Sequence, residues 1–297
     1  MRGQPDDSYA DGDDSSWISV DWPSLTRTEM VLGRRVNVID TGGDGPPVLF
    51  LHGLGGLWQN WLLNIPAFID SYRVIAPDLP GFGRSEMPSG RISIQGFARV
   101  IDALCDRLDV VEPVVVGNSM GGFIGAELAL AFPTRLRKLV LISAAGISAE
   151  NMWREPVMAI GRLMAIGAAR TGVKSLPVVN RPRLRRAALQ LVVRYPEKLS
   201  VPLATELVTG AGTPGFVGGL DAVLGYSFRE RLPEIDVSTL IVWGRNDVLI
   251  PVEDAYEFQR LIGDNARVEV FDDTGHLAML ERPSRFNSLV TDFINAT

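Results

Sequence analysis

One stretch of this chain constrains its fold more than any other: a strand pattern, a glycine-flanked serine and a helix in direct succession. Val114, Val115 and Val116 form a β-branched run, which predicts a buried strand. Ser119 follows in a Gly-x-Ser-x-Gly turn, and residues 123–132 then carry apolar side chains at helical spacing. A serine there by chance is the alternative, but the strand before it and the helix after it favour a nucleophile that the turn presents clear of the sheet.

The rest of the chain alternates strand and helix patterns, which predicts an α/β fold with a mostly parallel sheet covered on both faces. The further strand patterns are residues 26–32, 35–40, 48–51, 72–77, 136–143, 239–243 and 267–271. Residues 92–108, 252–262 and 283–294 have helical spacing. No convincing strand pattern falls between the strands at 136–143 and 239–243, so we predict a helical cap there. We therefore divide the chain into a disordered acidic leader (1–16), a first core part (17–145), the cap (146–233) and a second core part (234–297).

The composition argues against several classes of partner and site. The net charge is −6, with 35 acidic and 29 basic residues, which argues against nucleic acid as a partner. No apolar run is long enough for a membrane span or a secretory signal. Cys105 is the only cysteine, so no intrachain disulfide forms, and we expect a cytoplasmic location. No Cys/His cluster has the spacing of metal ligands, so we predict no metal site.

The chain has only two histidines, which limits the choice of base for Ser119. In a strand–elbow–helix topology of this kind the order along the chain is serine, then acid, then histidine. His276 follows Ser119 and comes after the last strand, whereas His52 precedes it, so we choose His276. Asp247 follows the strand at 239–243 and is our choice of acid.

Other acidic residues are weaker candidates for that role. Asp272 and Asp273 are too close in sequence to His276 for an easy approach to its ring. Asp78 lies in a glycine-punctuated loop with Arg84, and we expect the two to form a structural pair.

Two backbone N–H groups are candidates for an oxyanion hole. Met120 begins the helix after the serine, where N–H groups have no partner within the helix. Leu54 lies in a glycine-rich loop after the strand at 48–51, and Gly53 is the next candidate in that loop. Gly53, Asn118 and Leu277, which are sequence neighbours of Leu54, Ser119 and His276, are our candidates for the substrate pocket.

Five motifs together carry a resemblance to a known family. They are His-Gly-Leu-Gly at 52–55, Asp-Leu-Pro-Gly-Phe-Gly-Arg-Ser at 78–85, Gly-Asn-Ser-Met-Gly-Gly at 117–122, Gly-Arg-Asn-Asp at 244–247 and Gly-His at 275–276. In this order they resemble an α/β-hydrolase-fold enzyme from about residue 24 to the end, apart from the cap. The resemblance implies an eight-stranded, mostly parallel sheet with a cap after the sixth strand.

The same resemblance bears on the reaction. The serine at 119 distinguishes the chain from haloalkane dehalogenases and epoxide hydrolases, which have an aspartate there. Residues 118–122 resemble the elbow of the meta-cleavage C–C bond hydrolases, but that family typically has a tryptophan where this chain has Leu277, and its oxyanion loop reads differently from residues 52–56.

We therefore expect Ser119 to hydrolyse a carboxylic ester of a small, mostly apolar molecule through an acyl-enzyme, without a metal or organic cofactor. Hydrolysis of a C–C bond by the same three residues is the first alternative. A ligand-binding protein without catalytic activity is the second, because fold alone does not fix function.

Overall fold

One eight-stranded sheet forms the centre of the chain in a computed structural model that describes residues 9–10, 16–151, 154–159, 161–162, 179–209 and 212–296. The strands are β1 (Thr26–Val31), β2 (Arg34–Asp40), β3 (Pro47–Leu51), β4 (Arg73–Pro77), β5 (Val114–Asn118), β6 (Lys138–Ile142), β7 (Thr239–Gly244) and β8 (Ala266–Phe271). Their order in the sheet is β1-β2-β4-β3-β5-β6-β7-β8. The pairs β1–β2 and β2–β4 are antiparallel and all other pairs are parallel, so the predicted mostly parallel, eight-stranded sheet is confirmed.

The central strands are buried on both faces, as their continuous apolar sequences require. Every residue of β5 and of β7 is buried, whereas β1 at the edge is mostly open to solvent. In the register of the sheet, Gly117 of β5 lies between Leu51 of β3 and Leu141 of β6. The strand that leads into the candidate nucleophile is therefore held from both sides.

Helices cover both faces of the sheet, as predicted. They are α1 (Trp22–Leu25), α2 (Ile65–Phe68), α3 (Ile94–Arg107), α4 (Met120–Ala131), α5 (Pro182–Leu189), α6 (Val201–Thr209), α7 (Phe216–Gly225), α8 (Glu253–Ile262), α9 (Ala278–Glu281) and α10 (Pro283–Asn295). Phe97 of α3, Ile124 of α4 and Phe258 of α8 belong to one hydrophobic cluster. Phe68 of α2 and Phe286 of α10 belong to the other.

The described part of the insertion between β6 and β7 consists of helices and connecting loops without a strand, and its helices include α5, α6 and α7. Helix α7 reaches the core, because Leu54, Phe82 and Met120 all approach its Gly219. The predicted boundaries of the core parts and the cap stay predictions. No helix among the described residues is both long and apolar enough to cross a bilayer, and the cytoplasmic location also stays a prediction.

The segment expected to be a disordered leader contains two residues that pack against the body of the protein. Ala10 is buried, and its N–H donates to the carbonyl oxygen of Glu281 at 2.8 Å. The hydroxyl of Tyr9 donates to the Glu281 carboxylate at 2.7 Å. An aromatic ring and two hydrogen bonds thus anchor this short stretch despite its polar surroundings in the sequence. Residues 1–8 and 11–15 lie outside the described residues.

Candidate functional site

Ser119 occupies the sharp turn between β5 and α4 that the sequence predicts. Its φ of 55° and ψ of −116° place a residue with a side chain in a conformation that costs free energy and persists only where the surroundings impose it. The N–H of Ser119 donates to the carbonyl of Ile142 at 2.9 Å, and its own carbonyl accepts from Ala145 at 3.1 Å. A Cβ on Gly121 would overlap the carbonyl oxygen of Leu51, so the turn requires glycine there.

Asp247 and His276 are joined by a short hydrogen bond, from Nδ1 of the imidazole to Oδ2 of the carboxylate at 2.7 Å. The other carboxylate oxygen, Oδ1, accepts from the N–H groups of Leu249 and Ile250 at 2.9 and 3.0 Å. The Asp247 side chain is fully buried, and His276 is 3% exposed. The carboxylate is therefore fixed in place and holds the Nδ1 edge of the imidazole.

The loops that carry these two side chains are bonded to each other. The N–H of Asn246 donates to Thr274 at 2.8 Å, and that of Arg245 donates to Phe271 at 2.9 Å. At the end of β7 a Cβ on Gly244 would overlap the carbonyl oxygen of Gly275, so glycine allows the histidine loop to approach. The acid and the imidazole thus meet because β7 and β8 are parallel neighbours that end at the same edge.

Asn118 connects this pair to the serine turn. Its side-chain Nδ2 donates to the carbonyl of Ile142 at 3.2 Å and to the carbonyl of His276 at 3.3 Å. Since Asn118 directly precedes Ser119, this contact brings the serine turn and the histidine loop together at one rim of the sheet. The backbone of His276, whose ring is bonded to Asp247, is thus linked to the residue that precedes Ser119.

The residues that carry the two candidate oxyanion donors lie near the serine turn and share a neighbour. Met120 begins α4, and Leu54 follows the end of β3. A Cβ built on Gly53 would lie 3.1 Å from Cβ of Ser119, so the glycine loop passes directly beside the serine. One built on Gly219 would lie 2.8 Å from Cδ1 of Leu54 and 3.3 Å from Sδ of Met120. The side chains of Leu54 and Met120 therefore both lie against the same helix of the insertion.

The surroundings of these loops are apolar. A Cβ on Gly55 would lie 3.2 Å from Cε2 of Phe216, at the start of α7. Gly219, one turn further along α7, faces the ring of Phe82, whose Cζ would lie 3.2 Å from an added Cβ. Helix α7 therefore covers the loop beside the serine with aromatic and aliphatic groups.

His52 has a structural role instead of a catalytic one. Its Nε2 accepts from the N–H of Leu79 at 2.9 Å, so the ring proton is on Nδ1, which donates to the carbonyl of Gly53 at 2.8 Å. Burial lowers the pKa of His52 below its usual range. Both nitrogens are occupied, and the neutral ring holds the loop that carries Gly53 and Leu54.

Asp78 also holds a loop, although not through the guanidinium of Arg84. Its carboxylate accepts from Nδ2 of Asn37 at 2.9 Å, the N–H of Trp58 at 3.1 Å and the backbone N–H of Arg84 at 3.0 Å. A Cβ on Gly83 would overlap this carboxylate. The carboxylate therefore organises the loop through backbone and amide donors.

The weaker candidates for the acid are engaged elsewhere. Asp272 pairs with Arg245, and Oδ1 of Asp273 accepts from the hydroxyl of Tyr195 at 2.7 Å. Among the described residues, the carboxylate hydrogen-bonded to the ring of His276 is that of Asp247.

The three candidates for the substrate pocket differ in their contacts and burial. Gly53 is in direct contact with the serine turn, as described above. Asn118 is 1% exposed and uses its amide nitrogen inside the protein, and Leu277 is 5% exposed within the hydrophobic cluster that includes α10. Their place in a substrate pocket stays a prediction. Within the described part of the chain, no group of three or more His, Cys, Asp or Glu side chains could hold a metal ion.

Glu281 is a residue that the sequence analysis missed. It is fully buried, and it accepts from the N–H groups of Gly275 and Leu277, which flank His276. Burial raises the pKa of this carboxyl above its usual range, and the hydrogen bonds act in the opposite direction. The one signal in the sequence is a carboxylate that closes the apolar run Leu277 to Leu280.

The sequence of this chain is similar to those of known proteins. Residues 46–283 match the family model of the alpha/beta hydrolase fold. The chain is 31% identical over 268 residues to a 2-hydroxy-6-oxo-6-phenylhexa-2,4-dienoate hydrolase of Comamonas testosteroni, covering 85% of this chain and 88% of that protein.

Two solved structures are similar over nearly the whole chain. A mutant of the meta-cleavage product hydrolase CumD from Pseudomonas fluorescens IP01, complexed with acetates, is 27% identical with a TM-score of 0.71 and covers 92% of this chain and 98% of its own. The N-acyl homoserine lactone degrading enzyme Est816 is 26% identical with a TM-score of 0.70, covering 90% and 100%. With a family model that spans most of its length, this chain belongs to the α/β-hydrolase fold family.

Proposed function

We propose that this chain is a serine hydrolase in which Ser119 is the nucleophile, His276 the base and Asp247 the acid that orients the base. The observation that carries the proposal is the 2.7 Å bond from Nδ1 of His276 to Asp247. It fixes the ring proton on Nδ1 and leaves the lone pair of Nε2 free to take the proton of a serine hydroxyl.

The reaction then proceeds in two halves. Oγ of Ser119 forms a bond to the carbonyl carbon of the substrate and gives its proton to His276, and the carbonyl electrons move to the oxygen. The N–H groups of Met120 and Leu54 stabilise that oxyanion. His276 returns the proton to the leaving alcohol as the C–O bond breaks, which leaves an acyl-enzyme. Water, activated by the same imidazole, then releases the acid and restores Ser119.

A carboxylic ester of an apolar molecule is our first candidate substrate. The contacts of Phe216, Phe82 and Leu54 around the serine turn favour a neutral, apolar substrate, because a charged group against such side chains would lose its hydration without a partner. Est816, named for degrading an N-acyl homoserine lactone, is a similar structure whose substrate contains a cyclic ester. Leu277, in the place where the C–C hydrolases typically have tryptophan, points the same way.

Hydrolysis of a C–C bond is the second candidate, and the relatives favour it. The relative from Comamonas testosteroni is named for a dienoate, and CumD is named for a meta-cleavage product. The same three residues would serve this reaction, but the leaving carbon must then accept the proton that an alkoxide would take in an ester.

Ser119→Ala tests the proposal, with a panel of p-nitrophenyl esters of graded chain length and one ring-fission product as substrates. We expect the variant to lose nearly all turnover of whichever substrate the wild type accepts, while its circular dichroism and Tm stay unchanged. Release of p-nitrophenol by the wild type supports the ester, and loss of the ring-fission chromophore with little ester turnover supports the C–C bond. Undiminished turnover by Ser119→Ala would remove the serine from its role.

A further inference from the structure

A buried carboxylate lies directly behind the candidate base. Glu281, at the end of α9, accepts from the N–H of Gly275 at 3.0 Å and from the N–H of Leu277 at 3.2 Å. These two residues flank His276 in the chain. One side chain therefore holds the backbone on both sides of the imidazole.

Glu281 has two further donors, which come from distant parts of the chain. The hydroxyl of Tyr9 donates to it at 2.7 Å, and the backbone N–H of Arg194 donates at 2.9 Å. Tyr9 is itself tied in, because its oxygen accepts from the N–H of Tyr195 at 2.8 Å. The N-terminal stretch, the insertion and the histidine loop thus meet at one carboxylate.

The ring of Tyr9 is held independently of its hydroxyl. It meets the ring of Tyr195 edge-on at 5.3 Å, and the cationic ends of Lys198 and Arg282 lie 5.3 and 5.1 Å from its centre. Burial and the neighbouring carboxylate raise the pKa of Tyr9, so its hydroxyl stays protonated and remains a donor. Removal of the hydroxyl alone should therefore leave the ring docked.

We propose that Tyr9 and Glu281 are positioning residues for His276: Tyr9 docks the N-terminal stretch onto Glu281, and Glu281 holds the histidine loop in line with Ser119. The proposal rests on the proposed function for its effect on turnover. Its effect on the loop is independent of any substrate.

The physical reason is that Glu281 is buried and cannot replace a lost donor with bulk water. Without the Tyr9 hydroxyl the carboxylate must shift toward its remaining donors, and two of those are the N–H groups beside His276. A displacement of about 1 Å in a catalytic group lowers turnover by up to roughly 100-fold.

Tyr9→Phe tests this with Tyr72→Phe as the matched control. Tyr72 is also largely buried, and its phenylalanine variant loses one hydrogen bond, to Oδ1 of Asn295 at 3.0 Å, away from the histidine loop. Tyr9→Phe loses two, the bond to Glu281 and the bond from the N–H of Tyr195. For each variant we would measure kcat and KM on the best substrate, and amide hydrogen exchange of residues 275–277. Glu281→Gln keeps the shape of the side chain and removes its charge, and it should change kcat and amide exchange in the same direction as Tyr9→Phe and by a larger factor.

We expect Tyr9→Phe to exchange faster at residues 275–277 and to lose between about 5-fold and 100-fold in kcat, with KM changed by less than about twofold. Tyr72→Phe should match the wild type in both measurements. Unchanged exchange at residues 275–277 in Tyr9→Phe, or equal acceleration in Tyr72→Phe, would overturn the proposal. If the wild type turned over no substrate, the proposed function would fail, and the exchange measurement would still decide the role of Tyr9.

Discussion

Asp247→Asn changes a single atom at the centre of the candidate site. Oδ1 of Asp247 accepts from two backbone N–H groups, so the carbonyl oxygen of an asparagine would take that position. Its NH2 group would then face Nδ1 of His276, which now bonds to Oδ2. An amide NH2 only donates, so Nδ1 must become the acceptor and the ring proton must move to Nε2.

The size of the effect follows from the loss of the base. An imidazole with its proton on Nε2 has no lone pair for the hydroxyl of Ser119. A wrong tautomer of this kind costs roughly 10⁴-fold in kcat, which corresponds to about 5.4 kcal/mol of transition-state stabilisation. The side chain keeps its shape and its two backbone bonds, so we expect the fold to persist.

Steady-state kinetics of Asp247→Asn on the best substrate, with Tm as the check of folding, measure this effect. Asp272→Asn is the matched control, because Asp272 is closer to His276 in sequence but is exposed and paired with Arg245. We expect the control to retain activity within about twofold, as an exposed ion pair contributes little. An Asp247→Asn variant that keeps more than about a tenth of wild-type kcat would refute the reasoning, because that loss amounts to only about 1.4 kcal/mol.

The remaining predictions concern two buried positions, Gly121 and Cys105. Gly121→Ala should lower the free energy of unfolding by about 1–3 kcal/mol or more, because the added Cβ would overlap the carbonyl of Leu51 and the backbone would have to shift. An unchanged Tm would contradict this. Cys105 should resist DTNB until the protein unfolds, because burial raises the pKa of its thiol from 9.0 to about 12. The folded state disfavours the thiolate, whereas the unfolded chain ionises near pH 9.0. The free energy of unfolding of the wild type relative to Cys105→Ala should therefore fall as pH rises from 9.0 toward about 12. A difference between the two proteins that does not change with pH would contradict this prediction.

Most of the fold could be predicted because its signals are local. The run Val114 to Val116 forms β5, and the helical spacing after Ser119 lies in α4. Both are continuous segments in which the pattern of apolar residues along the chain indicates the structure. Parallel strands also end at a common edge, so Asp247 and His276 could be paired from their positions after β7 and β8 alone.

The contacts around Glu281 could not be predicted in the same way. Its donors come from Tyr9, Arg194 and two residues of the histidine loop, and no spacing along the chain relates them. A tyrosine among aspartates and glycines is typical of a disordered stretch, so the packing of Tyr9 overrides its local sequence. Long-range hydrogen bonds of this kind depend on the assembled sheet.

The substrate is likewise set by contacts that local patterns do not encode. The apolar cover from Phe216 arises only when α7 folds back over the loop that carries Gly55. In the sequence, Leu277 replaces the tryptophan typical of the C–C hydrolases and so favours an ester as the substrate. The relative named for a dienoate favours cleavage of a C–C bond instead. Kinetics on the two substrate classes separate these readings.

Covalent labelling with a fluorophosphonate, followed by peptide mass mapping, tests the role of Ser119 most directly. The probe forms a covalent adduct with a serine whose hydroxyl is activated as a nucleophile. We predict one adduct, on the peptide that contains Ser119, with labelling abolished in Ser119→Ala and slowed by orders of magnitude in Asp247→Asn. A folded wild-type protein that forms no adduct, or forms it on another residue, would contradict the account.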